Sequence, residues 1–520
     1  MSTRLHRGAA GSIALLSAVF LGLVLANPTW FMFDDAYFYL QIAGHLAEGH
    51  GSTFHGFGWT NGYHPLWLSV CVPLLALARW FGVSAIHLVV GIQAILALGI
   101  GALVVRLCRQ TALPYPSLPL AVAATYFLGG GVWGSEGFLN GFLQLLGLSL
   151  LLQAHAHRKA PLPWILAGVL LGLAVLARLD LVFLAGVCCL SALFQRDVPA
   201  RDRLRDAALL GLAISAVLLP YLLGNLDASG HLMPISGAVK STFPIPNLDG
   251  VAGKLGAMGR NVCVAAVIAL ALAASRAAVG QQRLLLVVLA SGTLCQAGYV
   301  AVFTGERWST DYDYYYVTGA LVVAFAASIA FAAFARMLPS LDSAQRSTLA
   351  AVLSTLMIAT ALVPAVGRAV KMGPGGVQWA PASVTVQLAW WMKANLPPGS
   401  RVFTVDAPGR LAWFSGRPVF AADGLTHDFH FAEELQRPDL TAWLERKGVT
   451  HIVAQLYDYQ TPWVDNTYAQ GETVMRILAP RTGIPVGELH LLADEALVTT
   501  DMLDAESDDL PVGVWRWPPP

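Results

Sequence analysis

Two adjacent carboxylates, Asp34 and Asp35, stand where the first apolar stretch of this chain ends. A carboxylate within hydrogen-bond reach of a hydroxyl can take its proton while that hydroxyl attacks an electrophilic carbon. Two neighbouring carboxylates can divide such work, one as the base and the other orienting a cation or a substrate hydroxyl. The residues could also start a helix over DDAYFYLQIAGHLAEG, because Asp is a favoured N-cap. Both roles are compatible, and the pair is the main candidate for catalysis.

More polar groups follow in the same loop. The stretch TNGYHPLW, residues 60–67, contains Asn61, Tyr63 and His64. Their side chains could hydrogen-bond a sugar or a phosphate. The alternative is a loop that aromatic side chains anchor at the membrane interface. The sequence leaves both interpretations open.

Two later segments carry charged groups between apolar stretches. Glu136 lies in GSEGF and could share a cleft with Asp35, or could simply be solvated. Arg178 and Asp180 lie in LARLD, with almost no loop between the flanking apolar runs. They could form a structural ion pair, or Arg178 could bind a lipid phosphate.

Two other segments suit a phosphate or a sugar. Ser236 and Lys240, in PISGAVK, could form a phosphate-binding turn, or Lys240 could be an ordinary surface residue. The segment is not a P-loop, because the spacing differs and no strand precedes it. Tyr315 belongs to DYDYYY (311–316), where aromatic rings beside carboxylates suit the apolar faces and hydroxyl edges of sugars. An aromatic belt at the membrane interface is the simpler explanation.

Composition shows which elements must position these residues. The chain has 520 residues, of which 56% are hydrophobic and 12% charged, whereas soluble proteins average roughly 25% charged residues. Apolar residues occur in runs of about 15 to 22, which is typical of proteins with several transmembrane helices. Acidic and basic residues are equal in number, so charge gives no reason to expect a nucleic-acid partner. The six cysteines predict no disulfide framework, and no Cys/His spacing predicts a structural zinc site.

Eleven segments are predicted to cross the membrane: 11–27, 85–105, 117–132, 138–154, 163–177, 180–195, 206–224, 262–279, 284–303, 316–336 and 348–366. The first could be a cleavable signal, but the many later spans favour an uncleaved helix. The apolar run 65–81 decides the topology. If it lies at the interface or re-enters, and the N-terminus is inside, the inner loops hold most of the Lys and Arg residues, as cytoplasmic loops do. All candidate residues then lie on the outer side.

The chain changes character after Val370. MGPGGVQWAP (372–381) is predicted to be a linker, and beyond it charge increases and apolar runs shorten. Residues 401–406 and 450–455 are predicted to be buried strands, with a helix over 441–449 between them. Strands that alternate with helices predict a small α/β domain, residues 371–520, outside the membrane and following a membrane domain of residues 1–370.

These features resemble the GT-C class of membrane glycosyltransferases, especially bacterial arabinofuranosyltransferase-like proteins. The matching pieces are DDAYFYLQIAGHLAEGHG, TNGYHPLW, GSEGFLN, LARLD, PISGAVK and the YDYYY run, and LPPGSRVFTVDAPG with FSGRPVFAADG extends the similarity into the tail. The resemblance implies a mainly α, polytopic GT-C-like helical bundle with a C-terminal extracytoplasmic α/β domain. It also implies a multi-pass protein of the bacterial inner membrane with a cytoplasmic N-terminus.

The resemblance further implies an activity. A sugar would move from a polyprenyl-phosphate donor to a glycan, lipid or protein acceptor of the cell envelope, with inversion at the anomeric carbon. Asp35, or alternatively Asp34, would deprotonate the acceptor hydroxyl. Lys240 and Arg178 would hold the phosphate and stabilise its developing charge.

Glu136 and His64 would position the acceptor or the sugar. The expected partners are the lipid-linked donor, the glycan or lipid acceptor and membrane lipid. No nucleotide is expected, because a lipid-phosphate donor carries its own leaving group. Some relatives with paired acidic residues use a divalent metal, so the cofactor stays unknown.

Two other functions compete with this one. A polytopic lipid or glycan transporter or flippase would predict polar or broken helices near the middle of the bilayer, whereas the polar groups here cluster at one face. A non-enzymatic membrane scaffold, whose outer domain binds cell-wall partners, leaves the acidic loop unexplained.

Overall fold

The computed structural model describes residues 2–157, 160–195, 198–338, 340–373, 376–379, 383–434, 439–479, 485–503 and 511–518. Its N-terminal part is helical. The helices there are α1 (Ser2–Ala26), α2 (Asp34–Ala47), α3 (Pro65–Phe81), α4 (Ala85–Gln110), α5 (Ser117–Gly129), α6 (Gly137–Ala156), α7 (Leu162–Ala177), α8 (Val182–Leu193), α9 (Ala200–Ser229), α10 (Ile235–Lys240), α11 (Val251–Ala274), α12 (Gly280–Phe303), α13 (Val317–Arg336) and α14 (Ser343–Ala369).

Seven helices of the described residues are long and apolar enough to cross a membrane: α4, α6, α9, α11, α12, α13 and α14. Shorter apolar helices, α1, α5, α7 and α8, occupy the other segments that were predicted to cross. Each of the eleven predicted spans therefore coincides with a helix, which confirms their helical character. That the four shorter helices also cross stays a prediction.

The loops with the predicted site residues meet on one side of the bundle, which we call the polar face. It consists of residues 27–64, 130–136, 178–181, 230–250 and 304–316. Side-chain and backbone hydrogen bonds join these segments to one another. The predicted gathering of separate polar features on one face is thus confirmed.

Helix α3 is the segment on which the topology depended. At its start, Trp67 Nε1 donates to the carbonyl oxygen of Gly134 at 3.0 Å. At its end, Arg79 forms an ion pair of 2.8 Å with Glu48, just after α2. Both ends of α3 therefore contact segments of the polar face. That α3 lies at the interface or re-enters the membrane, and does not cross it fully, stays a prediction.

Small residues bring the membrane helices close together. A Cβ atom added at Gly168 of α7 would lie 2.7 Å from the carbonyl oxygen of Leu210 on α9, and one at Gly172 would lie 3.2 Å from that of Ile214. Glycines four residues apart allow such approach in membrane helices, where close packing and not the hydrophobic effect holds helices together. This contact fixes α7, and Arg178 directly follows its last residue.

The C-terminal part mixes strands and helices. They are β1 (Val370–Gly373), β2 (Gly376–Trp379), α15 (Val384–Asn395), β3 (Val402–Thr404), α16 (Pro408–Ser415), β4 (Val419–Ala421), α17 (Phe429–Glu434), α18 (Leu440–Arg446), β5 (His451–Gln455), β6 (Tyr459–Thr461), β7 (Val464–Ala469), β8 (Glu472–Leu478), β9 (Pro485–Leu492), β10 (Val498–Thr499) and β11 (Val512–Arg516).

Two sheets organise this part. One has the strand order β10-β11-β5-β3-β4, in which β3 runs parallel to β4 and β5. The other is the antiparallel meander β6-β7-β8-β9. The predicted buried strands are β3 and β5, and the predicted helix between them is α18, so the α/β prediction is confirmed. The predicted linker differs, because β1 and β2 form a hairpin there; the division into domains 1–370 and 371–520 stays a prediction.

Candidate active site

Both carboxylates of the acidic pair lie in the first turn of α2. The helix starts where the sequence predicted, but its N-cap is Phe33 and not an aspartate. Negative charge in a first helical turn is stabilised by the helix dipole and by the free backbone N–H groups. The two side chains nevertheless point to different partners.

Asp34 contacts the C-terminal domain. Its Oδ2 accepts the backbone N–H of Gly409 at 2.9 Å, and its Oδ1 accepts that of Arg410 at 2.7 Å. Burial raises the pKa of Asp34 to about 7, although Arg410 and the two N–H donors act in the opposite direction.

Asp35 faces the aromatic run instead. Its Oδ2 accepts the hydroxyl of Tyr314 at 2.8 Å. Tyr314 is buried and packs beside Tyr315, with 4.9 Å between the ring centroids. Asp35 is thereby joined to the group of residues around Arg178, whose guanidinium carbon lies 4.4 Å from the centroid of the Tyr315 ring.

Arg178 lies at the centre of a buried ionic network. It is only 4% exposed, and its Nη1 lies 2.5 Å from Glu136 Oε1 while its Nε lies 3.0 Å from Asp180 Oδ1. Tyr39 donates to the other oxygen of Glu136 at 2.9 Å, and Gln296 donates to Asp180 Oδ2 at 2.8 Å. Burial by itself lowers the pKa of Arg178, but Asp180 and Glu136 outweigh this effect and raise it. The guanidinium therefore stays charged.

His64 lies against this network as a neutral ring. Its Nδ1 accepts the backbone N–H of Leu179 at 3.3 Å, so the proton of the neutral ring is on Nε2, which lies 3.8 Å from Glu136. Burial, together with the charge of Arg178, lowers the pKa of His64 to about 3. The ring can therefore donate a hydrogen bond but is not a cation near neutral pH.

Lys240, unlike Arg178, is bonded to a neutral partner. Its Nζ donates to the hydroxyl of Tyr315 at 3.0 Å and lies 5.3 Å from the centroid of the Trp308 ring. Among the described residues it forms no ion pair, whereas Arg178 is shared between two carboxylates. Lys240 is thus a partly buried positive charge that an anionic ligand would complete.

Asn61 and Tyr63 hold segments of the protein together. The buried Asn61 accepts the backbone N–H of Ile235 at 3.0 Å and donates to the side chain of Asn225 at 3.2 Å. The Tyr63 hydroxyl lies 2.9 Å from that of Ser52. These contacts tie the first loop to α9 and α10.

A cavity of about 860 Å³ opens at this site. The predicted residues that line it are His64, Arg178, Asp180, Ser236, Lys240 and Tyr315. The other predicted residues, Asp34, Asp35, Asn61, Tyr63 and Glu136, lie outside its wall. The lining also includes apolar and aromatic residues, among them Val182, Phe183, Phe243, Tyr299 and Val300. A cavity lined by both charged and apolar groups suits an amphiphilic ligand.

The C-terminal domain covers this cavity with residues 422–429, which we call the roof segment. Gly424 and Phe429 of this segment line the cavity. Thr60 Oγ1 donates to the carbonyl oxygen of His427 at 3.0 Å. A Cβ atom at Gly62 would lie 1.8 Å from the carbonyl oxygen of Leu425, so only glycine permits this approach. Residues 60–62 of the first loop (TNG) therefore hold the roof segment in place.

Two residues of the site were not predicted. Gln296 lies within an apolar span, where a polar side chain was the available signal, and Tyr39 looked like an ordinary interfacial aromatic. Tyr314 belongs to the predicted DYDYYY run, although only Tyr315 was singled out. The tail sequence allowed Asp423 to reach the cleft without requiring it; Asp423 is buried in the roof segment, and burial raises its pKa to about 7.

Metal binding needs a set of ligands close together. Within the described parts of the chain, no three His, Cys, Asp or Glu side chains form such a set. The two aspartates also turn to different partners.

Comparison of the sequence with protein-family models and with curated proteins finds no match. Comparison of the structure does. The oligosaccharyltransferase of Archaeoglobus fulgidus aligns with a TM-score of 0.56 and 12% identity, over 86% of this chain and 69% of that chain. ArnT from Cupriavidus metallidurans, in a structure with bound undecaprenyl phosphate, aligns with a TM-score of 0.55 and 14% identity, over 86% of this chain and 93% of that chain. The chain thus has the fold of the GT-C class of membrane glycosyltransferases, as its motifs predicted.

Proposed function

We propose that this protein transfers a sugar from a polyprenyl-phosphate donor to a hydroxyl of a cell-envelope acceptor. The observation that carries the proposal is the cavity of about 860 Å³, whose lining combines apolar residues with Lys240, a cation that forms no ion pair within 4.0 Å among the described residues. A lipid phosphate has the matching parts, an anionic head and a hydrocarbon chain.

The donor phosphate lies between Lys240 and Arg178 in this proposal. Lys240 supplies a charge that is in no direct ion pair among the described residues, although Asp35 acts on it at longer range. Arg178 supplies N–H groups held in place by Glu136 and Asp180. Negative charge grows on the phosphate as it leaves, and fixed cations stabilise that charge without reorganising. His64 also lines the cavity, and its Nδ1 accepts the N–H of Leu179. Its Nε2–H donates a hydrogen bond to the donor phosphate in this proposal.

The transfer itself is a single displacement. The acceptor hydroxyl gives its proton to a carboxylate oxygen of Asp35 while its oxygen bonds to the anomeric carbon. The bond from that carbon to the phosphate oxygen breaks, and its electron pair leaves with the phosphate. Attack opposite to the leaving group inverts the anomeric configuration. Tyr314 holds Asp35 by its 2.8 Å hydrogen bond.

The structural neighbour with bound undecaprenyl phosphate supports the donor class, because it has the same fold over most of this chain. The chain is a multi-pass membrane protein by its apolar helices. We infer that it lies in a bacterial inner membrane with its N-terminus in the cytoplasm and its polar face outside, because this orientation places most of the Lys and Arg residues on the inner side.

Membranes that contain the wild type or Asp35→Asn, at matched expression, test the proposal with radiolabelled polyprenyl-phosphate sugars and cell-envelope acceptors. We expect the wild type to consume one donor and Asp35→Asn to lose turnover by at least about a hundredfold. Asp249→Asn, which changes an exposed carboxylate of the polar face, is the matched control and keeps full activity. Movement of labelled lipid across vesicles without transfer would favour the flippase alternative.

A further inference from the structure

We propose that the two adjacent aspartates have different roles, and that Asp34 is a positioning residue which holds the C-terminal domain against the first loop. Asp35 alone then faces the reacting groups. The inference rests on the proposed glycosyl transfer and adds to it an obligate contribution from the C-terminal domain.

The contacts of Asp34 carry the inference. Its two oxygens accept the backbone N–H groups of Gly409 and Arg410, at 2.9 and 2.7 Å. These N–H groups belong to the first turn of α16, where they have no partner within the helix and where the helix dipole favours a negative charge. Arg410 adds a hydrogen bond of 2.8 Å from its Nη2 to the carbonyl oxygen of Met32. One short segment of the first loop thus binds the start of α16 at three points.

Helices α2 and α16 pack closely against each other around this contact. A Cβ atom at Gly409 would lie 2.4 Å from the carbonyl oxygen of Asp34 and 2.9 Å from Cδ1 of Phe38. Tyr37 of α2 packs on Phe414 of α16, with 5.2 Å between ring centroids. The two helices can therefore approach only with glycine at position 409.

The position of each carboxylate separates the two roles. A pKa of about 7, which burial gives Asp34, would by itself suit a general base. A base must also reach the acceptor hydroxyl, however, and both oxygens of Asp34 already accept backbone N–H groups of α16. Asp35 instead accepts the hydroxyl of Tyr314, and the next residue, Tyr315, lines the cavity.

Asp34 can influence the reaction because it shares one helical turn with Asp35. When α16 holds Asp34, it also fixes the backbone that carries Asp35. Misplacement of a catalytic group by about 1 Å can reduce the rate about a hundredfold. Loss of the contact with α16 should therefore lower kcat while the phosphate site, and so the donor KM, changes little.

Four variants of the full chain test this inference: Asp34→Asn, Gly409→Ala, Asp35→Asn and Gly399→Ala. Asp34→Asn replaces one acceptor oxygen with an N–H donor that faces a backbone N–H. Gly409→Ala disturbs the same contact by a change in the C-terminal domain, and both aspartate side chains stay as they are. Gly399→Ala is the control in that domain, because a Cβ atom there meets nothing within 4 Å.

We expect Asp34→Asn and Gly409→Ala to behave alike. Each should lower kcat about 10- to 100-fold, leave the donor KM within a few-fold, and speed hydrogen exchange at the amides of residues 409–410. Asp35→Asn should abolish turnover with exchange unchanged, and Gly399→Ala should match the wild type.

Full activity of Gly409→Ala beside an inactive Asp34→Asn would overturn the inference, because Asp34 would then act on the substrate itself. The exchange measurement does not depend on activity. If no donor were consumed by the wild type, the proposed function would fail, while faster exchange in both variants would still support docking by Asp34 and unchanged exchange would refute it.

Discussion

The two sides of the cavity are held in different ways. The membrane side, around Arg178, is an ionic network in which one buried cation is shared between two carboxylates. The roof segment is held by backbone carbonyl groups, a glycine contact and neutral histidines. Buried charges are costly unless their geometry is kept, so the ionic side must be rigid. These contacts of the roof segment include no ion pair, so the segment can change its shape without breaking one, which suits a surface that selects substrates.

The largest effect should follow from breaking the ionic side. Arg178→Ala leaves Glu136 and Asp180 without their cation, and removing one partner of a buried ion pair costs about 3–5 kcal/mol. We expect a lower melting temperature in detergent and loss of transfer. Arg307→Ala is the matched comparison, because Arg307 pairs with Asp465 across the two domains at a more exposed position. An exposed pair contributes roughly 0–1 kcal/mol, so equal destabilisation by both variants would contradict the contrast between the two sides.

The second test separates charge from structure on the membrane side. Lys240→Met keeps the length of the side chain and removes the cation that forms no ion pair among the described residues. A hydrogen bond to a charged group contributes roughly 1.5–3 kcal/mol, so the donor KM should rise about 10- to 100-fold with little change in melting temperature. Lys240→Arg should retain most of the affinity. An unchanged KM in Lys240→Met would place the donor phosphate elsewhere.

The sequence predicted Arg178 and Lys240 for different reasons. Arg178 lies at the end of an apolar span, where a charged group stands out because lipid excludes it unless it is paired or functional. Lys240 was predicted because PISGAVK could form a phosphate-binding turn. The spans themselves were equally visible, since each backbone segment in a membrane must satisfy its own hydrogen bonds. The distribution of Lys and Arg also predicts that α3 lies at the interface or re-enters the membrane.

Other features had no local signal. Glu136 and Arg178 meet only because α6 and α7 pack together, and the partners of Asp34 lie in a different domain. The acidic pair therefore looked like one catalytic unit. Likewise, Asn61 looked like a ligand-binding residue, although its hydrogen bonds are to Ile235 and Asn225. Contacts between distant parts of a chain decide such roles, and a single sequence does not display them.

The third test concerns the roof. Gly62→Ala places a Cβ atom where it would lie 1.8 Å from the carbonyl oxygen of Leu425, so the roof segment must move away. Overpacking of this kind costs typically about 1–3 kcal/mol. We expect weaker substrate discrimination and increased proteolysis of residues 422–429, with the ionic side intact. Gly44→Ala in α2 is the control, because its nearest contact would be 3.7 Å, an ordinary van der Waals distance. Equal behaviour of the two variants would show that the roof does not depend on Gly62.

The smallest effect should come from acid acting on the roof. His55 Nε2 lies 3.2 Å from His427 Nδ1, and the outer nitrogens of the two rings lie 3.1 Å from the backbone N–H groups of Phe57 and Ala421. Each ring nitrogen thus faces an N–H donor or the other ring, and an additional proton on this pair would have no acceptor among these groups. Burial, with the charges of Lys447, His45 and Arg401, lowers the pKa of His55 to about 4. Burial likewise lowers the pKa of His427.

The sign of the pH effect follows from these shifts. A histidine whose pKa is lower when the roof is docked stabilises docking fully above about pH 6.5, and this stability is lost as the pH falls from 6.5 towards 4. At pH 5.5 the loss for His55 is about 1.4 kcal/mol, one pH unit below its ordinary pKa. Asp423 of the roof segment acts in the opposite direction, because burial raises its pKa to about 7 and its protonation stabilises docking as the pH falls. The contribution of His55 is therefore measured against His55→Phe, which keeps an aromatic ring and has no titrating nitrogen. Between pH 7 and 5.5, proteolysis of residues 422–429 should rise more, or fall less, in the wild type than in His55→Phe. Acid could instead lower the melting temperature of the protein at a higher pH than that at which it increases proteolysis of residues 422–429. The contrast between a rigid ionic side and an adjustable roof segment would then be wrong.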